Sequence, residues 1–244
     1  MTGKPVRLVL LPGLHGTAEL FAPLLEILPS HIRPVPVSYP ASLQTFEHYV
    51  RFASTIAEAE ADADTVLLAE SFSGPIGLAL LENPPANVVA LVLVATFAEA
   101  PYPSLRRLAR FVPAWAIRAG NALAIRCLCA NGPGNGLIAR EAAAVVAKVP
   151  VELLKRRFAL LDTSRREQTR QHGRAPPVLF LNPTRDRLIP AKRFASRSHS
   201  GDSQMVRQID GPHFLLQCCP SACWRAIEDF IQSHVREREA TTRA

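Results

Sequence analysis

The stretch LLAESFSGPIGLAL, Leu67–Leu80, is apolar at both ends and broken in the middle by Glu-Ser-Phe-Ser-Gly. Its first half continues a run from Thr65 and reads as a buried strand, Thr65–Ala69. Its second half reads as a helix, Ser71–Glu82. A chain that passes from strand to helix this abruptly needs small residues at the turn, because the backbone is crowded there. Ala69 and Ser73 supply them, two positions before and two after Ser71, where a strained strand–turn–helix elbow usually carries glycine. Ser71 follows the strand directly, so its hydroxyl is presented above the sheet edge, over a helix N-terminus that favours developing negative charge. Ser73 lies further into the helix and faces elsewhere. The competing reading makes Ser71 an ordinary helix N-cap.

Working outward, the same alternation recurs. Val6–Leu11 reads as a strand ended by Pro12-Gly13, followed by a helix from Thr17 to about Leu28. A short strand, Val35–Ser38, precedes a helix from Gln44 to Ala63, and Val88–Ala95 is a further strand. After a long interruption come a strand at Pro177–Asn182, a helix at Ala191–Ser198, a strand at Gln204–Ile209 and a helix at His213–Val235. The tail from about Arg236 reads as solvated and frayed. Apolar strands alternating with helices predict an α/β fold, a mostly parallel sheet with helices on both faces.

The interruption, residues 99–174, shows helical patterns and no clear strand, and reads as an insertion into a core made of residues 1–98 and 175–244. It holds fourteen basic residues against five acidic ones. That surplus of nine exceeds the +7 of the whole chain, so the basic character belongs to the insertion. Leu105, Leu108, Val112 and Trp115 recur there at helical spacing, with Arg106, Arg107 and Arg110 on other faces. A solvated charged helix is the plainer reading of that segment; an apolar face covering a cleft, with an acidic partner held by the arginines, is the sharper one. No helix-turn-helix or aromatic–basic interleaving argues for nucleic acid, and no segment is apolar for long enough to span a membrane. The five cysteines show no zinc-binding spacing and read as reduced thiols. With no secretory signal visible, these features point to a cytoplasmic protein with no cofactor or metal.

Three further pieces bear on Ser71. LLPGLHGT, Leu10–Thr17, places Gly13 and Gly16 after the first strand, where backbone N–H groups could face a cleft. With the elbow, it nominates the amides of Leu14 and Phe72 as oxyanion donors; an ordinary strand-to-helix turn is the alternative. NPTRDRLIP, Asn182–Pro190, puts Asp186 in a polar turn after a strand. DGPHFLLQ, Asp210–Gln217, puts His213 after another. The order Ser71, Asp186, His213 suits a nucleophile, an orienting acid and a general base. All the pieces fall at the C-terminal ends of strands, where α/β sheets gather their ligands. Glu70 reads as structural or as part of the rim. His15 reads as pocket-lining or as loop surface. Asp162 and Asp210 are the runner-up acids.

These motifs resemble the α/β-hydrolase superfamily over nearly the whole chain outside the insertion. LPGLHGT looks like the oxyanion loop of small esterases, AESFSGP like their elbow and GPHFLLQ like their catalytic-histidine turn. The resemblance implies a serine esterase or thioesterase with Ser71, Asp186 and His213 as triad, and a helical cap or lid at 99–174. The pimeloyl-acyl-carrier-protein methyl ester esterases of biotin synthesis are similar in plan. That likeness implies an acyl ester borne by an acidic acyl carrier protein, with Arg106, Arg107, Arg110, Trp115 and His15 as substrate- or carrier-binding residues. A non-catalytic binding protein on the same scaffold is the reading from a different class.

Overall fold

A computed structural model describes residues 6–97, 122–161, 176–189 and 204–242, with side chains described through residue 234. Six strands form one sheet: β1 (Val6–Leu11), β2 (Ile32–Pro36), β3 (Thr65–Glu70), β4 (Val88–Val94), β5 (Val178–Pro183) and β6 (Gln204–Ile209). Their order is β2-β1-β3-β4-β5-β6 and every pairing is parallel. Alternate residues face opposite sides. Leu8, Leu10, Val66 and Leu68 enter one core cluster, and Val9, Leu11, Leu67 and Ala69 enter another. Burial on both faces is why the central strands read as continuous apolar runs rather than alternating ones.

The two faces are covered by different helices. The first cluster takes α1 (Ala22–Leu25) and the long C-terminal helix α7 (Pro220–Thr242), whose Cys223, Trp224, Ile227, Phe230 and Ile231 recur at helical spacing. The second takes α2 (Phe46–Glu58) and α3 (Gly74–Leu80) through Tyr49, Ala53, Ala57, Ile76 and Leu80. Between β4 and β5 the described elements are all helical: a π-turn at Ile125–Cys129, then α4 (Gly136–Lys148) and α5 (Val151–Leu160). A short α6 (Leu215–Cys218) precedes α7.

Several boundaries differ from the sequence-based expectation. The helix expected over Thr17–Leu28 shrinks to a 3-10 turn at Glu19–Phe21 and the single turn of α1. β2 starts at Ile32 and contains Pro34 and Pro36, which a strand tolerates only because β2 is an edge. α2 is shorter at both ends, with Thr45 as its N-cap accepting from the His48 N–H at 3.3 Å. The single helix expected from His213 is interrupted before Pro220, and His213 stands ahead of it. The backbone of α7 stays helical to Thr242, where the sequence pointed to fraying from Arg236. The expected helix at Ala191–Ser198 lies outside the described residues.

Candidate active site

Register puts the two decisive loops side by side. Leu11 pairs with Ala69, so β1 and β3 end together and release Pro12-Gly13 beside Glu70-Ser71. The chain order reverses direction across the sheet between these two strands, the place where open α/β sheets form a cleft.

The elbow is built without the usual glycines, and the structure shows how. Ser71 has φ +48°, a left-handed conformation that costs a non-glycine residue about 1–2 kcal/mol. Such strain persists only where surroundings over-determine it. Here Thr96 Oγ1 donates to the Ser71 carbonyl at 2.6 Å. Ser73 is fully buried, and its Oγ donates to the Pro12 carbonyl, so the hydroxyl at the second small position ties the elbow to the loop after β1. Because that proton is committed to Pro12, the buried Tyr39 hydroxyl must donate to Ser73 Oγ, 2.6 Å away. Ala69 leaves room for α3: a methyl built on Gly77 would sit 3.2 Å from its Cβ. The glycine the elbow cannot replace is Gly74, where a Cβ would fall 1.9 Å from Thr96 Oγ1.

The structure brings Ser71, His213 and Asp186 together. Ser71 Oγ lies 3.0 Å from His213 Nε2, and His213 Nδ1 lies 2.8 Å from Asp186 Oδ2. Both His213 and Asp186 side chains are almost wholly buried. The other Asp186 oxygen, Oδ1, accepts the N–H groups of Leu188 and Ile189 at 2.7 and 2.8 Å. The ends of β5 and β6 are zipped together by Thr184 N–H to Ile209 O and Arg185 N–H to Gly211 O, both 3.0 Å, which holds the Asp186 turn against the His213 turn. His213 sits in a tight three-residue turn closed by Leu215 N–H to its own carbonyl at 2.8 Å. Asp210 is no rival acid: it is exposed, held by Arg185 at 2.9 Å and Thr184 at 3.0 Å. Asp162 lies outside the described residues.

Beside Ser71 the turn Gly13–Gly16 is closed by Gly16 N–H to Gly13 O at 2.9 Å. A peptide unit is planar and trans, so the Leu14 N–H points away from that bonded carbonyl. Among the described residues it finds no backbone acceptor. Phe72 stands second in the 3-10 turn Ser71–Ser73, where an N–H has no partner within the turn.

His15 is buried, not loop surface. The Thr17 N–H donates to its Nδ1 at 3.2 Å. That fixes the neutral tautomer with the proton on Nε2. Burial, reinforced by the Arg157 charge, lowers its pKa to about 4 against the opposing pull of Glu19. A methyl on Gly13 would touch both His15 Nε2 (3.5 Å) and Ser71 Cβ (3.7 Å), so one atom's width separates the imidazole from the elbow.

A cavity of about 660 Å³ opens over Ser71, His213 and His15. Ile125, Leu128, Leu154, Phe158, Leu188 and Phe214 give it apolar walls, and Lys155, Arg156 and Glu152 also border it. Glu70 borders it too, fully buried, accepting from Gln217 Nε2 at 3.0 Å, while its Oε2 has no hydrogen-bond partner among the described residues. Burial raises the Glu70 pKa, against the Gln217 hydrogen bond, the His213 charge and the Gly13 N–H. Burial also pushes the Cys129 thiol up to about 12, so the cysteine on the cavity wall stays protonated and is no rival nucleophile. Among the described residues no cluster of His, Cys, Asp or Glu could hold a metal ion.

Of the residues expected at the site, Leu14, His15, Ser71 and His213 border one cleft and Asp186 stands behind His213, whereas the Phe72 side chain packs into the core against Tyr39 and Tyr49. Arg106, Arg107, Arg110 and Trp115 lie outside the described residues. The α5 side of the cavity was missed, although Val151, Leu154, Phe158 and Leu161 recur at helical spacing. The signal for Glu70 was a lone carboxylate ending an otherwise apolar buried strand.

A profile of the alpha/beta hydrolase family matches residues 8–222. The chain belongs to the alpha/beta hydrolase family. Among solved structures, it resembles a thermophilic esterase from Thermogutta terrifontis with 20% identity, coverage of 96% of this hydrolase and 91% of that chain, and a TM-score of 0.73. The hydrolase olei00960 from Oleispira antarctica is 12% identical, with 95% and 92% coverage and a TM-score of 0.73. The esterase EaEST from Exiguobacterium antarcticum is 13% identical, with 95% and 93% coverage and a TM-score of 0.69. At these identities the likeness speaks for the fold. A search of curated protein sequences finds no match. Among the hydrolase's described residues, no helix is long and apolar enough to cross a membrane.

Proposed function

We propose that this hydrolase is a serine carboxylesterase. The observation that carries the reading is the relay Ser71 Oγ–His213–Asp186, with contacts of 3.0 and 2.8 Å, at the base of an apolar cavity. Ser71 Oγ attacks the ester carbonyl carbon as His213 Nε2 takes its proton. The displaced carbonyl electron pair becomes an oxyanion held by the N–H groups of Leu14 and Phe72. The tetrahedral intermediate collapses, the C–O bond to the alcohol breaks, and His213 returns the proton to the leaving oxygen. Water then attacks the acyl-Ser71 carbonyl, His213 accepting its proton and passing it to Ser71 as the acid departs. Asp186 keeps the imidazole in the tautomer that leaves Nε2 free to accept, and offsets the charge of the imidazolium.

The apolar walls suit an acyl chain, and the helices between β4 and β5 act as the cap. His15 contributes a neutral N–H beside the reacting centre. A carrier-borne acyl ester such as pimeloyl-acyl-carrier-protein methyl ester is the narrower form of this proposal. It draws on the cationic excess of the insertion, of which Lys155 and Arg156 border the cavity. If an acidic carrier docks there, hydrolysis of the carrier-bound ester weakens as ionic strength rises, while hydrolysis of the free ester does not.

The deciding experiment is hydrolysis of p-nitrophenyl esters of graded acyl length by wild type and Ser71→Ala, paired with fluorophosphonate labelling mapped by peptide mass. Turnover lost in Ser71→Ala, with label on Ser71, supports the reading. Equal background rates in both proteins would leave a binding protein on a hydrolase scaffold.

A further inference from the structure

Arg157 is the largest fully buried side chain among the described residues, at 1% exposure. It sits on α5, the helix that also walls the cavity, but points the other way, beneath the Gly13–Gly16 turn. Its Nη1 donates to the carbonyls of His15 (2.5 Å) and Leu14 (3.2 Å). Its Nη2 donates to the Tyr39 carbonyl at 3.5 Å, and its Nε to the Tyr49 hydroxyl at 3.1 Å. The guanidinium also lies 6.0 Å from the Tyr39 ring centroid. Arg157 takes part in none of the ion pairs seen among the described residues. Among the described residues its partners are carbonyl and hydroxyl dipoles, which is how a buried guanidinium keeps its donors satisfied.

The fit is close. Gly16 has φ +70°, and a Cβ there would fall 2.1 Å from Nη1. Glycine at this position both permits the turn and leaves the slot that the guanidinium fills. The Gly16 N–H bond to Gly13 O is the bond that aims the Leu14 N–H outward, and Arg157 grips the next two carbonyls along.

We infer that Arg157 is a positioning residue that locks the Gly13–Gly16 turn so that the Leu14 N–H meets the developing oxyanion. α5 would then serve both as wall of the substrate cavity and as buttress of the oxyanion loop. This rests on the reading of Ser71 as nucleophile.

The test uses the full-length protein with Arg157→Lys, Arg157→Met and Tyr49→Phe, each checked for folding by circular dichroism and thermal melting. Two quantities are read: kcat and KM on a p-nitrophenyl ester, and the affinity for an arylboronic acid, whose tetrahedral serine adduct places an oxygen at the oxyanion position. Loss of one preorganised oxyanion donor lowers kcat by about 10²–10³-fold. A loosened turn therefore lowers kcat by roughly 10²-fold in Arg157→Met and less in Arg157→Lys, with KM within about threefold. Boronate affinity falls in step with kcat. Tyr49→Phe keeps the ring, removes only the Nε acceptor, and moves both quantities the same way by about threefold. A purely structural role would lower the melting temperature and leave kcat and boronate affinity alone. Unchanged kcat and boronate affinity in folded Arg157→Lys overturn the inference, as do unchanged values in Tyr49→Phe if the Arg157 variants do not fold. Ser71→Ala separates the two ideas: full activity in that variant sinks the serine reading, whereas an inactive Ser71→Ala beside a fully active Arg157→Lys sinks only the role of Arg157.

Discussion

The Tyr39 hydroxyl and Ser73 Oγ lie 2.6 Å apart in the core, and the Ser73 hydroxyl donates its own hydrogen bond to the Pro12 carbonyl. One short polar chain thus joins the loop after β2, the elbow after β3 and the loop after β1. It gives the second serine of the elbow a role unlike that of the first.

That division predicts opposite phenotypes for two similar substitutions. Ser71→Ala abolishes turnover, by about 10³-fold or more, and leaves the melting temperature nearly unchanged. Ser73→Ala leaves the Tyr39 hydroxyl and the Pro12 carbonyl without their partner and costs about 1–3 kcal/mol of stability, with activity retained to the extent that the elbow holds. Ser71→Gly, which relieves φ +48°, is more stable than Ser71→Ala by about 1 kcal/mol. Urea unfolding and initial rates on the three variants check this; loss of activity with Ser73→Ala and not with Ser71→Ala would reverse the assignment.

Asp186→Asn tests the tautomer argument. Oδ1 is bound by two backbone N–H groups, so an asparagine keeps its carbonyl there and turns its NH₂ toward His213 Nδ1. The imidazole then carries its proton on Nε2 and cannot accept one from Ser71. The expected loss in kcat is about 10⁴-fold with the fold intact. An NMR titration that shows the wild-type tautomer in the variant would contradict it.

His15 makes stability depend on acid pH. Its pKa falls from 6.5 unfolded to about 4 folded, so between those values the unfolded chain binds more protons. Stability is therefore lost as pH drops through this window, by up to about 3 kcal/mol for a shift of this size. His15→Gln removes that component. Urea unfolding at several pH values between 7 and 4 should give a shallower slope for the variant; parallel slopes would show that the imidazole is not held neutral.

Glu70 acts in the opposite sense. Burial raises its folded pKa, so its contribution to stability is lost as pH rises from the ordinary carboxylate range through the raised value. Glu70→Gln keeps the shape, carries no charge, and is expected to gain stability over wild type at neutral and alkaline pH but not at acid pH. Equal differences at all pH values would mean that Glu70 remains ionised in its pocket.

Much of this protein was legible because its physics is local or periodic. β1, β3, β4 and β6 are apolar or β-rich runs bounded by turn residues, and their places matched the structure within a residue or so. Four loop motifs at strand ends named Ser71, Asp186, His213 and the Leu14 turn. Helix ends were less legible, because packing decides where a marginal turn stops: Pro220 divides the last helix, and the segment after the Leu14 turn folds into two short pieces.

The sequence alone determined the chain order of Ser71, Asp186 and His213, the proposal of Ser71 over Ser73 and the basic bias of residues 99–174. These depend on neighbours along the chain or on composition. Tertiary structure alone decided that an elbow with neither usual glycine holds together, through Thr96 on the Ser71 carbonyl and Pro12 on the Ser73 hydroxyl. It also turned one arginine of the basic insertion inward to hold the Leu14 turn. Those contacts join residues separated by 25, 61 and 143 positions. A periodic pattern reports only which way a side chain faces, and what it meets there is set by how the elements pack.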